Sequence, residues 1–321
     1  MKNGIAVLGS ILVDKIYVIN AYPKIGELTK INSAELSVGG CVPNVAIDIK
    51  KISNDIPVYA VGRIGKDDEA DYLKKTLKSA NVNTDNLIFS KTKTSFTDVM
   101  SITGGQRTFF TYPGASAEFG VDDVDFDKIN VKMLHLGYFL LLDKIDNGDG
   151  VKILKKAKEK GIKTSIDLVT ENSDRYKLVI PALKHTDNLI INESEAEKLT
   201  GIEPTNDNLK KIAKVLFDYG VQERVIIHKP EVSVCYSERG FTLIPSFDLP
   251  PEFIKGTTGA GDAFCSGALV KIYQGASDKE ILEFASTAAV TALSSPDATS
   301  GILSEKEAIE LCKSFNRKNT V

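Results

Sequence analysis

Apolar residues along the chain fall into two rhythms. Residues 4–9, GIAVLG, form a short apolar run closed by glycine, the mark of a buried strand. From Ile11 to Leu36 the pattern turns loosely alternating and β-branched, broken by NAYPKIGE, and predicts strands with one wet face. In VGGCVPNVAIDIKKI, Val45, Ile49 and Ile52 recur at i, i+4 and i+7, one face of a helix. VYAVGRIG predicts a further strand, and Leu73, Leu77 and Ala80 the helix after it. Residues 95–112 predict a hairpin turning at TGGQ. Strands at MLHLGYF, KTSIDLV, NLIIN and VIIH then alternate with helices over 150–160, near Lys177–His185, over Ser194–Thr200 and over Leu209–Tyr219. Two more strands, VSVCYS and FTLIPS, precede helices starting near Ala260, Lys279 and Glu305.

Such alternation implies a doubly wound α/β fold, a mostly parallel sheet with helices on both faces. The β-rich patches at about 11–37 and 95–112 interrupt the rhythm and predict a small separate sheet. With no repeat, low-complexity tract or Pro/Ser-rich linker, one domain over residues 1–321 is expected.

Charge and cysteine usage narrow the partners. The net charge of −3 argues against nucleic acid or an anionic membrane, both of which demand a basic face. No apolar run approaches the roughly 20 residues of a membrane helix, and the N-terminal apolar stretch is too short for a secretory signal. Cys41, Cys235, Cys265 and Cys312 form no CxxC pair. With His135, His185 and His228 scattered, no zinc or iron constellation is expected. Free thiols in a reducing cytoplasm follow.

The segment GTTGAGDAF carries the chemistry. Phe264, Ala268, Leu269 and Ile272 make an apolar helical stripe, so Gly259, Ala260 and Gly261 lie at a helix N-terminus. First-turn amides there lack intrahelical partners and favour an anion, and glycine lets backbone approach phosphate oxygens. Asp262 would repel that phosphate unless it has a task. The economical one is to accept a proton from a hydroxyl attacking it. Taken alone, the stretch fits an ordinary glycine-rich helix start with a first-turn aspartate equally well. A P-loop is excluded, because no lysine follows the glycines.

Taken with four other segments, GTTGAGDAFCSG resembles the C-terminal signature of the ribokinase-like (PfkB) carbohydrate kinases. VGGCVPNVA resembles their N-terminal signature, GRIGKDDEA their GxxGxDxxG-type turn, NESEAEKLTG their N-x-x-E element and GQRTFFTYPGAS their lid segment. The resemblance spans nearly the whole chain. It implies an ATP-dependent kinase acting on a sugar hydroxyl, with Asp262 as general base and the amides of Gly259, Ala260 and Gly261 holding the charge of the transferred phosphoryl group. Asp14, Gly39, Gly40 and Asn44 would bind the acceptor, and Arg107 would reach substrate or phosphate. Asn192, His228, Lys229, Thr258 and Ser286 would line the nucleotide site, and Glu195 would act through Mg²⁺ and its waters. For Asn192 and Glu195 a plain capping role remains open. The β-rich patches would be a lid over the sugar, and lids of this kind often pair in homodimers.

Departures from the pattern matter too. Gly256 stands where relatives with a monovalent-cation site carry an aspartate, so a potassium site is doubtful. Lys229 and Val232 replace glycines near the nucleotide, Ser286 replaces an asparagine, and Gly137 a residue commonly polar. Alternatives are a nucleoside kinase of the same fold or a non-catalytic nucleotide or sugar sensor. A Rossmann-type dinucleotide enzyme is weaker, for GIAVLGSILVD lacks GxGxxG.

Overall fold

The computed structural model describes residues 2–102, 107–171 and 173–319. The chain opens with β1 (Ile5–Leu8), β2 (Leu12–Ile19), β3 (Ile31–Gly39), α1 (Cys41–Ile52), β4 (Val58–Ile64), α2 (Asp68–Ser79) and β5 (Asn83–Phe89). It continues with β6 (Ser95–Ile102), β7 (Arg107–Tyr112), β8 (Met133–Phe139), α3 (Gly150–Glu159), β9 (Lys163–Leu168) and α4 (Ile180–Leu183). Then come β10 (Asn188–Asn192), α5 (Glu193–Thr200), α6 (Leu209–Asp218), β11 (Arg224–His228), β12 (Val232–Ser237) and β13 (Gly240–Pro245). Helices α7 (Ala260–Gln274), α8 (Asp278–Leu293) and α9 (Glu305–Cys312) follow. Among the described residues no helix is long and apolar enough to cross a membrane.

Nine strands form the large sheet in the order β13-β12-β11-β10-β9-β8-β1-β4-β5. From β11 to β5 every pairing is parallel, whereas β12 runs against its two neighbours β11 and β13. Parallel strands need both faces covered, and β1 shows how the sequence does it. Ile5 and Val7 join a core with α1, α2, α7 and α8, whereas Ala6 and Leu8 join one with α3 to α6. Because β1 pairs with β4 on one side and β8 on the other, the winding reverses there. Ligands of such sheets bind beyond the carboxyl ends of the strands at that reversal.

The two β-rich patches do pair separately, as a sheet ordered β3-β2-β6-β7. Strand register puts Asp14, Thr97, Val99, Phe109 and Arg107 on one face of it. The expected TGGQ turn, residues 103–106, lies outside the described residues.

Two elements differ from expectation. β5 was not foreseen; it is an edge strand whose NTDNLIF is half polar, so its apolar pattern is thin. The helix expected near Lys177–His185 is a 3₁₀ turn over Arg175–Val179 followed by the four residues of α4. Pro181 sits at the start of α4, where its missing N–H does no harm.

Candidate active site

The glycine-rich segment does enter a helix, and its backbone explains its composition. Gly259, the N-cap of α7, has φ +79°. A Cβ there would stand 2.5 Å from Ala298 Cα, so only glycine fits. Of the three amides expected to hold an anion, that of Ala260 already donates to Thr257 O at 3.3 Å. Gly261 is open, the nearest atom to a built Cβ being His228 Cε1 at 3.9 Å.

Asp262 follows in the first turn of α7, only 6% exposed yet lining a cavity of about 190 Å³ together with Gly259 and Gly261. Asn44 Nδ2 donates to its Oδ2 at 2.9 Å, and the Tyr138 hydroxyl lies 3.0 and 2.9 Å from its two oxygens. Burial, helped by the charge of Asp167 and opposed by these hydrogen bonds, pushes the carboxyl up to about 7.

Tyr138 and Asp167, both lining this cavity, were not singled out from the sequence. Tyr138 has φ +55° just where β8 ends its apolar run, and its amide donates to Asp167 Oδ1 at 2.6 Å. A lone carboxylate inside the apolar SIDLV was the available signal. Position 137 is glycine for want of space, since a Cβ would meet Cys41 Cβ at 2.6 Å.

Opposite Asp262 the same cavity is lined by Asn192 and Glu195. The capping reading of this pair holds: Asn192 Oδ1 accepts from the Glu195 amide at 2.9 Å, and Glu195 Oε2 accepts from the Asn192 amide at 3.0 Å. Thr170 Oγ1 donates to Glu195 Oε1 at 2.8 Å. Glu195 is 3% exposed, and burial lifts its carboxyl to about 7. Capping thus leaves a buried carboxylate on the wall of a polar cavity.

A second cavity of about 600 Å³ adjoins the first, sharing Thr170, Asn192, His228 and Gly261. Lys229, Phe264, Ser286, Val290 and Leu293 also line it. The His228 ring packs on Phe264 with centroids 4.6 Å apart, and burial lowers its pKa to about 4, which keeps it neutral. Lys229 Nζ lies 3.3 Å from Pro204 O and from Asn206 Oδ1. Ser286 Oγ stands 3.2 Å from Ser233 Oγ.

The remaining candidates surround this core. Arg107 Nη1 donates to Thr258 Oγ1 at 2.8 Å, tying the small sheet to the glycine segment. Thr258 is exposed, and Thr257 is the threonine that lines the larger cavity. Asp14 lies over Gly39, whose built Cβ would stand 2.5 Å from Asp14 Oδ2; burial lifts its carboxyl to about 7. Gly40 caps α1 at φ +85°, with Ser10 O 2.6 Å from a built Cβ. Asp14, Gly39 and Gly40 stay outside both cavity linings. Asn44 Oδ1 and Ser10 Oγ are buried and lack hydrogen-bond partners among the described residues.

One expectation is corrected. The fold brings donor atoms of His135, Asp167 and Cys265 within 4.8 Å of one another, a potential metal-ligand set that 130 residues of sequence separation had hidden.

Comparison with known proteins agrees with this fold. A family model described as pfkB family carbohydrate kinase matches residues 2–305. A bifunctional ribokinase/ribose-5-phosphate isomerase A of Fructilactobacillus sanfranciscensis is 28% identical over 263 residues, 81% of this chain and 47% of that protein. A probable chloroplastic fructokinase of Arabidopsis thaliana is 28% identical over 256 residues, 76% of this chain and 64% of its own length. The chain therefore spans about half to two thirds of these relatives. The solved ribokinase of Arabidopsis thaliana, complexed with ribose and ATP, superposes with a TM-score of 0.85 at 24% identity, covering 98% of this chain and 99% of its own. Fold, motif order and family match coincide: the chain belongs to the pfkB family of carbohydrate kinases.

Proposed function

We propose that the chain is an ATP-dependent carbohydrate kinase that phosphorylates a hydroxyl of a sugar. The observation that carries this reading is Asp262, a buried carboxyl near pKa 7 on a cavity wall at a glycine-opened helix start, already hydrogen-bonded to a hydroxyl. That pKa matches a base working near neutrality. In the step, Asp262 takes the proton of the acceptor hydroxyl as its oxygen bonds to the γ-phosphorus, and the bond to the ADP oxygen breaks. The amides of Gly259, Gly261 and, once released from Thr257, Ala260 hold the charge on the transferred group.

Asn44 Oδ1 and Ser10 Oγ, buried acceptors in need of donors, suit a polyol, as does the carboxylate of Asp14. Gly39 and Gly40 let backbone approach it. The larger cavity would take the nucleotide base beside His228, Lys229 and Ser286, with Asn192 and Thr258 toward the phosphates. Glu195 suits magnesium held through water, since its buried oxygens border a polar cavity and magnesium needs few carboxylates beside phosphate. The ion would supply charge neutralisation on the phosphates. Arg107 would leave Thr258 for the transferred phosphate. Gly256 offers no carboxylate to a monovalent cation where relatives with such a site carry an aspartate. The small sheet acts as a lid, within a single functional unit of residues 1–321 that works in the cytoplasm.

Asp262→Asn should lower kcat by about two to four orders of magnitude with the KM for ATP within about twofold. ADP release measured over a panel of sugars, sugar phosphates and nucleosides tests this and names the acceptor class. Ligand-induced thermal stabilisation without ADP release from any of them would favour the sensor instead.

A further inference from the structure

We propose that His135, Asp167 and Cys265 form a binding site for zinc or a similar borderline-soft divalent cation, at the edge of the cavity that also holds Asp262. The geometry is the first support. His135 Nε2 lies 3.5 Å from Asp167 Oδ2 and 3.7 Å from Cys265 Sγ. With ordinary zinc–nitrogen, zinc–oxygen and zinc–sulfur bond lengths, a tetrahedron has edges of about 3.4 Å (N to O) and about 3.6 Å (N to S). The two edges at His135 thus match a tetrahedral site, and the third pair, Asp167 and Cys265, lies within 4.8 Å.

The surroundings are the second support. His135 Nδ1 is 3.0 Å from Ser165 Oγ, and that hydroxyl donates to Leu134 O at 3.4 Å. In the tautomer that ion binding requires, Nδ1–H donates to Ser165 Oγ and the lone pair of Nε2 faces the other two donors. A histidine fixed through its remote nitrogen in this way is typical of metal ligands. Asp167 is fixed in turn by the Tyr138 amide on Oδ1, leaving Oδ2 for the ion.

Access and selectivity follow. Asp167 and Cys265 line the 190 Å³ cavity, so an ion can enter from the cleft and keep a water as fourth ligand. Imidazole and thiolate select zinc over magnesium, which prefers oxygen. Cys265 must lose its proton on binding, so uptake strengthens as pH rises. Because Asp262 borders the same cavity, an ion there also inhibits phosphoryl transfer. That corollary rests on the kinase reading, whereas binding itself does not.

Nucleotide-free protein stripped by a chelator is titrated with Co²⁺, then Zn²⁺. We expect one equivalent bound, a thiolate-to-cobalt charge-transfer band in the near ultraviolet, and displacement by zinc but not by excess magnesium. Cys265→Ala abolishes the band, and His135→Gln weakens zinc binding at least about tenfold. Ser165→Ala, which leaves the three ligands in place, weakens it by about ten- to a hundredfold and serves should His135→Gln fail to fold. No band, or zinc affinity in Cys265→Ala equal to that of the wild type, overturns the site. If zinc binds as expected but does not inhibit ADP release, the site stands and only the corollary falls.

Discussion

A carboxyl in apolar surroundings beside another carboxylate keeps its proton more tightly, and Asp262 is placed so. As the proposed base it would work only deprotonated, so kcat/KM should rise with pH through about 7. The hydrogen bond from Tyr138 favours the charged form, so Tyr138→Phe should move that limb to higher pH. An unmoved limb in pH–rate profiles would mean that another group sets it. Asp48 shows the same physics away from the chemistry. It is 0% exposed, neither oxygen has a hydrogen-bond partner among the described residues, and burial holds its pKa well above the usual value. A folded pKa above the unfolded one gives stability at low pH that is lost as pH rises. The melting-temperature difference between Asp48→Ala and wild type should therefore grow more positive from about pH 5 to about pH 8; a flat difference would refute it. Asp48 lies three residues after Val45 and four before Ile52, so the helical spacing itself put it beside the apolar stripe, and only its charge argued for a wet position. Asp262 was legible because glycines and an apolar stripe flank it. Tyr138 and Asp167 were not, because each gains meaning only where two strand ends meet.

At the level of elements, the start of α7 is tightly constrained backbone. Gly259→Ala adds a side chain at positive φ, at a cost of roughly 1–3 kcal/mol, and drives it against Ala298. Gly261→Ala meets nothing closer than 3.9 Å and lies inside a helix. Thermal melts should separate the two clearly, with a large loss at 259 and almost none at 261. Equal losses would mean that the loop carrying Ala298 gives way. Period-2 and period-3.6 patterns located these elements well wherever both faces or one full stripe are apolar, as in β1 and α1. They failed at β5, where an edge strand needs few apolar residues, and before α4, where Pro181 shortens the helix.

Across the whole molecule, alternation of strands and helices was enough to foresee the parallel sheet, but not which strand ends would converge. The His135–Asp167–Cys265 cluster is the clearest loss, since each residue comes from a different element. The small sheet was foreseen from its interruption of the rhythm, and it leaves Ile31, Leu36 and Phe110 between 45% and 56% exposed. We propose that a second copy of the chain covers part of this surface. Light scattering should give the mass of two chains, falling to one when Leu36 and Phe110 are both changed to Glu; a wild-type monomer at assay concentrations would end that idea. The contacts of Asp262 have a temporal side as well. Its partners Asn44 and Tyr138 lie 218 and 124 residues earlier in the chain. During synthesis the stretch that holds Asn44 and Tyr138 therefore emerges long before Asp262, and these contacts can form only once the start of α7 has been made.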